Sequence, residues 1–228
     1  MLGEIRSWFG GRSTARSGAE GNAHPLFVPL REESLSVRPS NAIQEFLEGI
    51  RDQMGLTVAD FSGDCTLNIP FITNLRHRLH AESIPKAVEQ AFGYLPADNP
   101  QLSQPDRIEA FLHDSMRFEP ASVDVVLLWD GLEWLSPEAQ RATVARLYEV
   151  MRPGAAAFAI FHTEQEEPSV PVRHYRLNDQ RSIVVSDKGR NRPHRMFTNR
   201  SIEVMFEQFR SVKFFLSRDS LREVILHR

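Results

Sequence analysis

The sequence predicts an α/β domain built on a mainly parallel sheet with helices on both faces. Three observations carry this. Residues 122–130, SVDVVLLWD, form a continuous apolar run of the kind a parallel strand buried on both faces requires. Runs of this type alternate along the chain with segments of helical periodicity, the order expected of crossover-connected parallel strands. The last two strand-like runs, SVKFFLS and LREVILHR, are separated only by the turn RDS, and so short a link makes them antiparallel neighbours.

The elements follow in order. Residues 1–38 read as a flexible tail: GGRSTARSGAEGNAHP is small, polar and glycine-rich. Ahead of it, Leu2, Ile5, Trp8 and Phe9 have roughly helical spacing, which reads either as a frayed terminus, since so short a helix is marginal alone, or as a docking segment for a protein partner or a membrane surface. The domain is expected over 39–228. Ser40 is a plausible N-cap, followed by a helix with Ile43, Phe46, Leu47 and Ile50 on one face. LTVADF (56–61) is a short strand and LNIPFITNLRH a helix with Pro70 in its first turn. RLHAESI (78–84) alternates like a strand, IPKAVEQAFGYL is a second helix, and PDRIEAFLHDSM is a helix or partly strand. After the 122–130 strand, Ser136 caps a helix with Pro137 at its first position, ended by Arg152-Pro153-Gly154. AAAFAIFHT (155–163) is another buried strand. Residues 172–197 read as irregular with one short hairpin, and NRSIEVMFEQF as a helix capped by Asn199.

Composition excludes several classes. The chain has 228 residues, 41% of them apolar, with a formal charge of −3. That balance implies no whole-chain attraction to nucleic acid or acidic membranes. The single cysteine, Cys65, rules out an internal disulfide. No apolar run approaches the roughly 20 residues of a membrane span. The expectation is a soluble cytoplasmic protein. His77 and His80 would point to opposite faces of a strand, so no shared metal is expected.

The stretch VDVVLLWDGLEWLSPEAQRATVARLYEVMRPGAAAFAIFHT (123–163), with the closing strand–turn–strand, resembles the second half of class I S-adenosylmethionine (SAM)-dependent methyltransferases. The resemblance spans about residues 40–228. It implies a Rossmann-like fold with a seven-stranded, mostly parallel sheet, one antiparallel C-terminal strand and SAM as cofactor. It also identifies VADFSGDCTLN (58–68) as the cofactor loop. Asp60 and Phe61 match the family's acidic strand end and the apolar residue after it, and Asn68 matches the Asn of a subgroup with a D-L-G-P-x-x-G-x-N loop. Ser62, Asp64 and Thr66 replace the usual glycines, which serve positive φ angles and close backbone approach.

On this resemblance the cofactor contacts are Asp60, Ser62, Gly63, Asp64, Asn68, Glu82, Asp114 and Trp129. Asp60 or Asp64 would take the ammonium, and Ser62 or Asn68 the carboxylate or a hydroxyl. Glu82, ending the second strand, would accept from the ribose hydroxyls. Asp114 or His113 would face the adenine. Asp130, at the exit of the fourth strand, and His162, at the end of the fifth, are candidate general bases, with His174 a further one. Methyl transfer asks mainly for orientation, because the sulfonium is already a strong donor.

The acceptor is expected to be small or lipid-like. Residues 173–200 hold eight Lys or Arg against Asp179 and Asp187, a basic rim suited to an anionic acceptor, and no nucleic-acid motif is present. The alternative is a methyltransferase-fold protein that no longer catalyses and binds a partner. A nicotinamide reductase is excluded by the lack of a G-x-G-x-x-G loop and a Tyr-x-x-x-Lys pair.

Overall fold

Strand β4 (Val123–Trp129) is the axis of the molecule. Its alternate side chains enter two separate apolar clusters: Val126 and Leu128 one, Val125, Leu127 and Trp129 the other. The computed structural model describes residues 27–62, 68–84, 86–87, 91, 104–163, 170–191, 196–216 and 221–228. β4 lies between the parallel strands β2 (Thr57–Asp60) and β5 (Met151–His162). β3 (Arg78–Ala81) continues the parallel set beside β2. β9 (Leu221–His227) runs antiparallel between β5 and β8 (Ser211–Leu216). The sheet order is therefore β3-β2-β4-β5-β9-β8.

The parallel sheet and its one antiparallel strand thus form as the sequence predicts, with six strands among the described residues. Between β3 and β4 the described residues are helical at Ile84, Lys86, Ala87 and Ala91, within the second helix expected there, and then form α3 (Gln104–Ser115) and the coil after it. The segment PDRIEAFLHDSM is helical because Arg107, Phe111 and Ser115 recur at helical spacing on its buried face.

Helices cover both faces. α3, α4 (Pro137–Val150) and α5 (Asn199–Met205) pack with Phe111, Leu147 and Ile202 on one side. α1 (Asn41–Arg51) and α2 (Ile69–Asn74) bring Ile43, Phe46, Leu47, Ile50 and Ile72 to the other. Ser136 caps α4 through the Ala139 N–H, with Pro137 in the first turn. α5 is capped by Thr198 rather than Asn199, its hydroxyl accepting from Ser201 N.

Two expectations need correction. The region after β5 is not irregular: β6 (Val170–Asp179) and β7 (Ser182–Asn191) form a long hairpin. The tail is shorter than expected, because Phe27–Pro39 is a strand, β1, paired antiparallel with β7. Pairing with a distant strand makes β1, and the brief alternation Ser34-Leu35-Ser36-Val37-Arg38 is its one local signal. The sheet β1-β7-β6 lies on the α1 face, where Tyr175, Leu177, Ile183 and Val185 join the core. It is latched to the main sheet by an ion pair of Arg38 with Glu223 of β9. The Ser40 hydroxyl donates to the same Glu223 at 2.9 Å while accepting the Ile43 N–H at 2.9 Å to cap α1.

Candidate functional site

The carboxyl ends of β2 and β4 meet at the point where the sheet's strand order reverses, the place where open α/β sheets bind ligands. Asp60, the last residue of β2, is fully buried there. Its Oδ1 accepts from Ser62 N at 3.0 Å and from the Trp129 indole Nε1–H at 2.7 Å. Its Oδ2 accepts from the Ser62 hydroxyl at 3.2 Å and from Asn68 Nδ2 at 2.7 Å. Burial raises the Asp60 pKa, and these donors oppose the rise.

Trp129 ends β4 with φ at +52°, a left-handed conformation rare for a bulky residue. The pairing of β4 with β5 shifts register just before it. The turn carries the indole back to Asp60 and lays it against Tyr175, with centroids 5.4 Å apart and planes 4° from parallel. Backbone strain of this kind costs on the order of 1–3 kcal/mol and persists where surrounding contacts fix it. Here the Asp60 bond and the ring stack do so.

Asp130 is buried, and its Oδ2 accepts from the Tyr175 hydroxyl at 3.2 Å. Burial, reinforced by the negative charge of Glu133, pushes its pKa up to about 6; His162 and hydrogen bonds from Tyr175 and Trp134 pull the other way. Glu133 lies in the 3-10 turn Gly131–Trp134 and is completely buried. It accepts from His162 N at 2.8 Å, and its other oxygen is 2.5 Å from His162 Nδ1. Burial raises the Glu133 pKa well above the usual carboxylate range, against the pull of that backbone N–H and of Arg222 and Arg173.

The sequence offers Asp130 and His162 as bases toward an acceptor. The structure turns both inward. Each is at most 5% exposed, and the bond to Tyr175 and the pairing with Glu133 hold them inside the protein. A general base must reach the proton it takes. Their described contacts are those of a buried polar network that fixes β4, β5 and β6 together.

Glu82 follows directly on β3, and its N–H donates to Asp60 O at 2.8 Å. Its side chain is half-buried, and among the described residues none pairs with its carboxylate. Ser62 and Ser83 form an isolated antiparallel bridge beside it. Asp60, Ser62, Asn68, Glu82 and Trp129 are therefore brought together. Asp114 is not: on α3 it binds His113 at 3.1 Å and Arg117 at 2.8 Å, both of which pull its pKa down. Those two partners line a groove of about 920 Å3 beside Ile108, Leu112 and Met116, and no residue of β2 or β4 lines it. Gly63, Asp64, Cys65 and Thr66 lie outside the described residues. His174 sits half-buried on β6. Among the described residues, no group of three or more His, Cys, Asp or Glu could hold a metal, and no helix is long and apolar enough to cross a membrane.

Sequence reasoning missed Glu133 and Tyr175. Glu133 did leave a signal, a carboxylate inside the otherwise apolar GLEWL. Tyr175 left none beyond being an aromatic in a basic stretch.

No family model matches the chain, and no curated protein sequence matches it. Among solved structures the chain is similar to SAM-dependent methyltransferases. One is the 1,6-didemethyltoxoflavin-N1-methyltransferase of Burkholderia thailandensis with 1,6-didemethyltoxoflavin and S-adenosylhomocysteine (SAH). The identity is 12% and the TM-score 0.45, covering 82% of this chain and 76% of that one. A SAM-dependent methyltransferase of Methanosarcina mazei has 14% identity and a TM-score of 0.46, covering 80% and 96%. The glycopeptide N-methyltransferase MtfA in complex with SAM has 13% identity and a TM-score of 0.44, covering 81% and 92%.

Proposed function

We propose that the chain binds SAM at the carboxyl ends of β2 and β3 and is a SAM-dependent methyltransferase of an anionic, small or lipid-like acceptor. The carrying observation is Glu82, a half-buried carboxylate without a described partner, tied by its N–H to the strand end that Asp60 closes. A ribose diol presents two adjacent donors, which a carboxylate accepts well. Asp60 supports the site indirectly: saturated by its donors, it fixes Ser62 and Asn68 on either side of the loop. Bound SAM would supply an activated methyl group. The protein would supply position, with no proton taken by Asp130 or His162.

One observation favours a second reading, a methyltransferase-fold protein that binds a partner and transfers nothing. Trp129 and Tyr175 are buried at the β4 exit and fill it with side chains of the protein itself.

Calorimetric titration of the full chain with SAM and SAH separates the two. Micromolar binding that weakens tenfold or more in Glu82→Ala, about 1.4 kcal/mol, with an unchanged melting temperature, supports the cofactor site. No binding of either ligand to folded protein favours the second reading.

A further inference from the structure

Asn68 stands at the N-cap of α2, yet its side chain makes no capping bond. Its two polar atoms are used elsewhere. Nδ2 donates to Asp60 Oδ2 at 2.7 Å, and Oδ1 accepts the backbone N–H of Leu177, on β6, at 2.7 Å. The residue is completely buried, so losing either partner leaves a polar group that water cannot reach. A second link runs in parallel. Asp60 Oδ1 holds the Trp129 indole, which stacks on Tyr175, two residues before Leu177 on the same strand. Asp60, Asn68, β6 and Trp129 therefore close a ring of contacts that crosses from the main sheet to the three-stranded sheet and back.

We propose that Asn68 is a positioning residue that couples β6 to the carboxyl end of β2, so that the three-stranded sheet and the cofactor end of β2 hold a single relative position. The effect on ligand binding rests on the cofactor reading above; the coupling itself does not. The ring stack does not suffice alone: it can slide in its plane, whereas the amide fixes a direction and a distance. An asparagine is suited to the task because it must donate to a carboxylate on one side and accept from an amide on the other. Alanine offers neither. Aspartate keeps the acceptor for Leu177 but places a second carboxyl against Asp60, so its donor exists only while the pair shares a proton. The titratable groups next in line are Asp130 beyond β4, Glu133 in the 3-10 turn, His162 on β5, Tyr175 and Arg173 on β6 and Arg222 on β9.

The test uses the full chain, wild type, Asn68→Ala and Asn68→Asp, with amide hydrogen exchange and SAH titration between pH 5.5 and 8.5. In Asn68→Ala the expected result is at least tenfold faster exchange in peptides covering both residues 56–62 and 170–179, and SAH affinity weakened about tenfold at every pH. Asn68→Asp should match wild type at the acid end and fall to the alanine level as pH rises. Faster exchange confined to α2, with β6 unchanged, would overturn the coupling. So would an affinity offset in Asn68→Asp that does not vary with pH, which a purely structural role would give. If wild type binds no SAH, the cofactor reading fails, and the exchange experiment alone decides the coupling.

Discussion

Asp130 shows how a residue chosen by position for chemistry can be held for architecture. Its pKa of about 6 in the folded chain compares with 3.8 for a free aspartate. Below pH 3.8 both states carry the proton. Between 3.8 and 6 the folded chain binds more proton than the unfolded one, so stability falls as pH rises, and above 6 the loss is complete. Two units correspond to roughly 3 kcal/mol. An asparagine side chain at this position would still accept from Tyr175 without this cost. Asp130→Asn should therefore gain stability over wild type between pH 4 and 8, up to roughly 3 kcal/mol at pH 8, with near-equality at pH 4. Urea unfolding at the two pH values measures it, and equal stability at pH 8 would sink the assignment. Glu133 carries a penalty of the same sign, because its pKa is also raised by burial. Such a cost is tolerable where the network fixes one arrangement of β4, β5 and β6, a role buried ionic groups fill in some proteins.

At the scale of elements, the caps were the most legible features. Ser40 and Ser136 could be placed from sequence because a cap is a local device, read from the residues on either side. Ser40 does more than the sequence could say, since Glu223 is 183 positions away. Ser40→Ala should cost about 1–2 kcal/mol in denaturant unfolding, at the upper end of the cap range because the bond to Glu223 goes with it. A cost no larger than that of Ser136→Ala, whose hydroxyl has only the capping role among its described contacts, would show that the second bond contributes nothing. β4 and β9 were legible too, because burial on one or both faces imposes a pattern. β1 and the full β6–β7 hairpin were not: Leu35 and Val37 alternate with polar residues over only a few positions and stay exposed on β1, so the strand is made by its pairing with β7 and not by a buried face. In the candidate site, Asp60, Glu82 and Trp129 could be found from the ends of strands. Tyr175 and the second bond of Asn68 could not, since both depend on where β6 comes to lie.

For the molecule as a whole, the two sheets share one core. The cluster on the α1 face joins Val125 and Leu127 of β4 and Phe158 of β5 to Tyr175, Ile183 and Val185 of the three-stranded sheet. The partly buried Arg38–Glu223 pair crosses the same seam. Unfolding should therefore be a single transition, with tryptophan fluorescence, which samples Trp129 at the seam, and far-UV circular dichroism giving the same midpoint. Separate midpoints would mean that the small sheet folds on its own.

β9 has a consequence for how the protein is made. It lies between β5 and β8 and pairs with both, yet it is translated after every other strand of its sheet. While the ribosome is still adding residues 217–228, β5 carries a bare edge and β8 has no neighbour to lie against. The sheet can be completed only after synthesis has passed Leu221, so this region depends on protection from its surroundings until then. A transcript cut to stop at residue 216 should yield a chain that sediments with insoluble material on cell lysis, whereas the 228-residue chain remains in the supernatant.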